Sequence, residues 1–271
     1  MNRETKVIGI LDSGVGGLTV VREVMRQLPY ERIVYFGDTA HCPYGSRTPE
    51  EVRQFTLDIV DFLTTSFSLK ALVMACNTAT AVALEDVRQK VDVPVIGVIH
   101  PGARSAVQAS TNGRIGVIGT ERTVQSGAYR RALTRLKADL HIVSLACPSF
   151  VPLVESGRAE ADDVFPIVQQ ALTPLFNDDI DTLILGCTHY PLLRKHIARA
   201  MGDGVTLISS ATETARELKS IMLQQNTLTL DPSERPEHRY FTSGSPRLFR
   251  QIAASCLQLT LDAKHVHLEK V

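Results

Sequence analysis

The chain has 271 residues, 44% of them apolar, enough for two domains of ordinary size. Its 29 basic and 29 acidic residues cancel and form no basic stripe, which argues against nucleic acid as a partner. No apolar run is long enough to span a bilayer and the N-terminal one is too short for a signal peptide, so no membrane partner and a cytoplasmic location are expected.

Lys6 to Leu11, rich in Val and Ile, predicts a buried strand. Asp12-Ser13-Gly14-Val15-Gly16-Gly17 follows as a glycine turn, and Leu18 to Leu28 carries apolar residues at helical spacing. Arg32 to Gly37 is the next strand. Asp38 to Arg47 is broken by Pro and Gly and predicts a loop. Thr48-Pro49-Glu50-Glu51 has the cap, the early proline and the early acids of a helix start, and that helix runs to about Phe67. Ala71 to Ala75 is the third strand, with a helix from about Ala79 to Lys90. Pro94 to Ile99 predicts a fourth strand, ended by His100-Pro101-Gly102 before another helix.

Arg114 to Ile118 is a strand leading through Gly119-Thr120-Glu121-Arg122-Thr123 into a helix to about Leu136. Leu140 to Ala146 is a strand ending at Cys147-Pro148, Val164 to Phe176 a helix, and Thr182 to Leu185 a strand. Val205 to Ser209 and a helix from about Thr212 to Gln225 come next. Asp231 to Arg239 predicts a surface loop, Tyr240 to Ser243 a short strand, Pro246 to Leu257 a helix and His265 to Leu268 a last strand. Strands alternating with helices imply an α/β fold with mainly parallel sheets.

One figure occurs twice. Leu72 to Thr80 reads L-V-M-A-C-N-T-A-T, and Leu183 to Pro191 reads L-I-L-G-C-T-H-Y-P. Each is an apolar run, a small residue, a cysteine and then polar side chains. The segment Ile8 to Ser13 aligns in the same way with Ile115 to Thr120, at nearly the same offset. Two similar α/β halves are therefore expected, each offering a polar strand-end loop and a cysteine loop. Ligands of open α/β sheets collect at the carboxyl ends of strands, so the active site is expected between the halves, with Cys76 facing Cys187.

The five cysteines, Cys42, Cys76, Cys147, Cys187 and Cys256, show no C-x-x-C and no zinc-finger spacing, so free thiols and no metal are expected. Cys76 and Cys187 are each expected at a helix N-terminus, where the dipole lowers a thiol pKa. Cys147 reads as packing, Cys256 lies at helical spacing in the last helix, and Cys42 lies in a loop. Gly14-Val15-Gly16-Gly17 lacks the full dinucleotide fingerprint, and Asp12 beside it would repel phosphate. Lys70 and Lys90 lie outside the strand-end loops, so pyridoxal phosphate is not implied and no cofactor is expected.

Two opposed acid/base groups suit the removal of a proton from one face of a carbon and its return on the other. A thiol, with a free pKa of roughly 8.5, can serve as either acid or base. His189 is placed to relay a proton for Cys187, and Asp12 ends its strand as a credible site residue. Ser13, Asn77, Thr78, Thr120, Thr123 and Thr188 can hold carboxylates of a small ligand.

The motifs L-D-S-G-V-G-G-L-T at 11–19, G-D-T-A-H-C-P-Y-G at 37–45, A-C-N-T-A at 75–79 and G-C-T-H-Y-P at 186–191 closely resemble the glutamate racemases along nearly the whole chain. The resemblance implies cofactor-independent interconversion of L- and D-glutamate, supplying D-glutamate for peptidoglycan. It implies two α/β domains related by a pseudo-two-fold, 1–98 with 209–271 (carrying Asp12, Tyr44 and Cys76) and 99–208 (carrying Thr120, Glu155, Cys187 and His189). Cys76 would act on D-glutamate with Asp12, and Cys187 on L-glutamate with His189 and Glu155. Asp12-Ser13, Pro43-Tyr44-Gly45, Asn77-Thr78 and Thr188-His189 would bind substrate, and a homodimer is expected. The residues themselves leave open an aspartate racemase, a binding protein with incidental thiols, and a redox sensor that joins Cys76 to Cys187.

Overall fold

The computed structural model describes residues 6–230 and 236–268, without the side chains of 255–257. Part of the surface loop expected at Asp231 to Arg239, and the side chain of Cys256, therefore lie outside the described residues. The chain begins with β1 (Val7–Asp12), α1 (Leu18–Gln27), β2 (Ile33–Gly37), α2 (Pro49–Ser66), β3 (Leu69–Met74), α3 (Asn77–Lys90), β4 (Val95–Gly97) and α4 (Ile99–Ala109). It continues with β5 (Arg114–Gly119), α5 (Glu121–Gln125), α6 (Ala128–Leu136), β6 (His141–Ala146), α7 (Phe150–Glu155), α8 (Val164–Leu172), β7 (Thr182–Gly186), α9 (Arg194–Met201) and β8 (Thr206–Ser209). The last elements are α10 (Ser210–Gln224), β9 (Arg239–Thr242), α11 (Pro246–Leu257) and β10 (Ala263–His265).

The strands form two sheets in which every pairing is parallel. One has six strands in the order β10-β9-β2-β1-β3-β4, the other four in the order β6-β5-β7-β8. The run β2-β1-β3-β4 matches β6-β5-β7-β8 position for position, so the sequence repeat is a repeat of topology. Both faces of both sheets are covered. Ile8, Ile10 and Val73 pack under α1 and α10, while Leu11, Leu72 and Met74 pack under α2 and α3. In the smaller sheet Ile118, Leu183 and Leu185 face α8 and α9, while Ile115, Val117 and Ile184 face α4 and α6. Such two-sided burial is why these strands read as continuous apolar runs rather than as alternating ones.

The start of α2 is as the sequence predicts. The Thr48 hydroxyl accepts from the Glu51 N–H (3.2 Å), the Glu51 carboxylate accepts from the Thr48 N–H (2.9 Å), and Pro49 occupies the first turn. Other boundaries differ. Strand β4 stops at Gly97, and His100-Pro101-Gly102 lies inside α4 rather than ending a strand, because a proline in a first turn forfeits no intrahelical bond. The helix expected to follow Gly119-Thr120-Glu121-Arg122-Thr123 and run to about Leu136 is two helices, split where Gly127 takes a left-handed φ of 65°. The α7 turn, in V-P-L-V-E, was not expected; Pro152 again falls in a first turn. Helix α8 ends at Leu172, two residues before Pro174, and the last strand lies at Ala263–His265 rather than 265–268. No helix among the described residues is long and apolar enough to cross a membrane.

Candidate active site

Strand β1 delivers Asp12, fully buried, to a turn folded back upon it. The N–H groups of Gly14 (3.1 Å) and Gly17 (2.9 Å) donate to Asp12 Oδ2, and the Thr188 hydroxyl donates to Oδ1 at 3.2 Å. Burial raises the Asp12 pKa to about 6, against the charge of His189 and these hydrogen bonds. The glycines are steric necessities. A Cβ on Gly17 would meet Asp12 Cβ at 2.5 Å, and one on Gly16 would meet Thr188 Oγ1 at 2.5 Å and His189 Nδ1 at 2.7 Å. The loop that resembles a nucleotide fingerprint is thus a close-packed floor beneath the second cysteine loop.

Cys76 follows β3 and caps α3, its sulfur accepting from the Ala79 N–H at 3.4 Å and donating to Ser13 Oγ at 3.6 Å. The expectation of a lowered pKa is corrected here. Burial, reinforced by the Asp12 carboxylate, pushes the thiol up to about 12, outweighing the Ala79 and Ser13 hydrogen bonds. Cys187 follows β7, but a short 3-10 turn at Tyr190–Leu193, not an α-helix, comes after it, so the expected helix terminus is absent there. Its sulfur lies 3.7 Å from His189 Nδ1, and His189 Nε2 lies 2.6 Å from Glu155 Oε1 at the end of α7. Burial alone would lower the His189 pKa, yet the hydrogen bonds and charges of Cys187 and Glu155 hold it well above its usual value. His189 is therefore an imidazolium at neutral pH, offering one N–H to each partner.

Both sulfurs line a single cavity with Ser13, Pro43, Tyr44, Gly45, Asn77, Thr78, Thr120, Thr188 and His189. Asp12, Thr123 and Glu155 stand behind this lining, each bonded to a residue that forms it. The hydroxyl of Thr78 meets those of Thr120 (2.9 Å) and Thr123 (3.2 Å), joining the two halves. The Tyr129 hydroxyl donates to Asn77 Oδ1 at 2.7 Å, while Asn77 Nδ2 is buried without a partner among the described residues. An unmade donor at a cavity wall is ready for a ligand oxygen. The free volume is about 10 Å3, room for about one water. A groove of about 440 Å3 lies elsewhere, between α3, α4 and α6, lined by Glu85, His100, Arg131 and Arg135 but by neither strand-end cysteine.

Cys42, Cys76, Cys147 and Cys187 are free thiols. Cys147 is buried with Phe150 and Leu185, as a packing residue should be. Sequence reasoning missed Tyr129, which orients Asn77 across the halves, and the approach of Cys42 to Glu155 (3.8 Å). Neither contact leaves a trace in local spacing.

A family model described as Asp/Glu/Hydantoin racemase matches residues 8–218. A glutamate racemase of Oceanobacillus iheyensis is 50% identical over 273 aligned positions, covering 98% of this chain and 99% of the relative. The crystal structure of a glutamate racemase isoform from Bacillus anthracis superposes with a TM-score of 0.94 at 49% identity, covering 98% of this chain and 99% of that one. That of the Francisella tularensis glutamate racemase, in complex with D-glutamate, does so at 0.90 and 31% identity over 99% of this chain and all (100%) of that one. With a family match across most of its length and near-complete alignment to these relatives, the chain belongs to the glutamate racemases of the Asp/Glu/hydantoin racemase family.

Proposed function

We propose that this isomerase interconverts L- and D-glutamate by two-base proton exchange at the α-carbon, without a cofactor. The observation that carries the reading is that Cys76 and Cys187 come from equivalent strands of two different sheets and line one cavity, each with its own proton partner. Cys187 takes the α-proton of L-glutamate while Cys76 supplies one to the opposite face, and the reverse reaction starts at Cys76. His189, backed by Glu155, serves Cys187. Asp12, an anion above about pH 6, serves Cys76. Asn77, Thr78, Thr120, Thr123 and Thr188 hold the ligand's carboxylates directly or by orienting those that do, with Ser13, Pro43, Tyr44 and Gly45 completing the wall.

Residues 1–98 with 209–271 form one domain and 99–208 the other; the sheet membership of β9 and β10 supports this division. D-glutamate made in this way supplies peptidoglycan synthesis, as expected for a bacterial racemase in the cytoplasm, and the working form is a homodimer. Gel filtration at several concentrations tests the last point, and a monomer throughout would reject it.

Incubation of reduced, chelator-treated protein with L-glutamate in deuterated water tests the activity. Optical rotation decays while deuterium enters the α-carbon, with the D-isomer carrying the label first. Absence of both changes from folded protein contradicts the reading, and exchange on aspartate instead would favour an aspartate racemase.

A further inference from the structure

Cys42 has no part in the exchange, yet its sulfur lies 3.8 Å from Glu155 Oε1, and that oxygen lies 2.6 Å from His189 Nε2. The three ligand atoms all fall within 4.8 Å of one another. Thiolate, imidazole and carboxylate together suit a four-coordinate, thiophilic divalent cation with one open position. At ordinary bond lengths a tetrahedral zinc spaces its ligand atoms about 3.3–3.8 Å apart. The Cys42–Glu155 spacing already meets this. The His189–Glu155 pair has to part by about 1 Å, which rotation of the Glu155 side chain, 24% exposed, supplies.

Two further features favour a cation. A Cβ on Gly14 would stand 3.1 Å from both Cys42 Sγ and Glu155 Oε1, so the glycine leaves the space between them open. Burial acts most strongly on the Cys42 thiol, the carboxylates of Glu155 and Asp12 come next, and the His189 ring stands beside Glu155.

We propose that Cys42, Glu155 and His189 form a three-ligand site for a thiophilic divalent cation of the zinc class, and that its occupancy shuts off racemisation. The site stands on geometry alone; the shut-off rests on the proposed relay role of His189 and Glu155. Binding takes Nε2 and the carboxylate out of service. The cation displaces the Cys42 thiol proton and the proton shared by His189 and Glu155, both passing to water, so affinity rises with pH.

The test uses the full chain, reduced and metal-free, titrated with Co2+ as a spectroscopic probe and separately with Zn2+ during turnover. Wild type gives a near-ultraviolet sulfur-to-cobalt band at one equivalent and loses activity with Zn2+. Cys42→Ala, with Cys42→Ser as the second variant, keeps its metal-free activity, loses the band, and needs about tenfold or more Zn2+ for the same inhibition. No band in wild type, or a band that survives in both variants, overturns the site. Loss of the band with unchanged Zn2+ inhibition overturns the shut-off. If the protein racemises nothing, the cobalt band still decides the site.

Discussion

At the scale of single residues the site separates two ways of serving a thiol. Cys76 is buried beside a carboxylate and is a protonated acid at rest, while Cys187 faces an imidazolium. The Asp12 pKa, raised by burial to about 6 from an unfolded value of about 3.9, carries two consequences. On the proposed mechanism Asp12 must be ionised to relieve Cys76 of its proton in the D-to-L direction, so that rate falls as pH drops through about 6; a profile flat down to pH 5 would speak against this role. For stability, a group with a raised folded-state pKa contributes fully below the unfolded value and loses that contribution as pH rises through the folded one. The neutral variant Asp12→Asn is therefore more stable than wild type at pH 8, by up to on the order of 3 kcal/mol, and melts higher, while D-to-L turnover falls by about 100-fold or more. An equal or lower melting temperature with full activity would contradict both.

At the scale of elements, the strand-end loops do the positioning. Gly16→Ala forces Thr188 and His189 off the glycine turn, and a displacement of that size costs about 100-fold in turnover; steady-state kinetics showing a wild-type rate would mean that the turn yields. Strand β3 is tied down by a buried pair, Lys70 Nζ to Glu31 Oε2 at 2.5 Å, which also holds Thr227 and Thr229. Lys70→Met leaves Glu31 buried and unpaired and should cost about 3–5 kcal/mol by denaturant unfolding, with turnover per folded molecule unchanged. Strands, their order of appearance and the cysteine loops were legible in the sequence because two-sided burial writes continuous apolar runs. The boundary between β4 and α4 and the presence of α7 were not, since a proline in a first turn reads locally as a breaker while costing the helix nothing, and α8 was expected to run through Pro174 but stops at Leu172. The Tyr129–Asn77 and Cys42–Glu155 contacts join distant segments, and only the folded chain reveals them.

At the scale of the molecule, the repeat places one cysteine loop from each half on a cavity too small for an amino acid. On the proposed function, substrate entry is expected to part the halves around the Thr78–Thr120–Thr123 hydroxyl cluster. Hydrogen exchange in the loops at 12–17 and 38–47 should slow when glutamate is bound, and no change would argue for a path without opening. The central claim is that each half contributes one of two bases. It is tested most directly by making Cys76→Ala and Cys187→Ala separately and following racemisation from both L- and D-glutamate, with circular dichroism as the check on folding. Each variant is predicted to be folded and to racemise neither isomer. A wild-type rate in either would contradict the account.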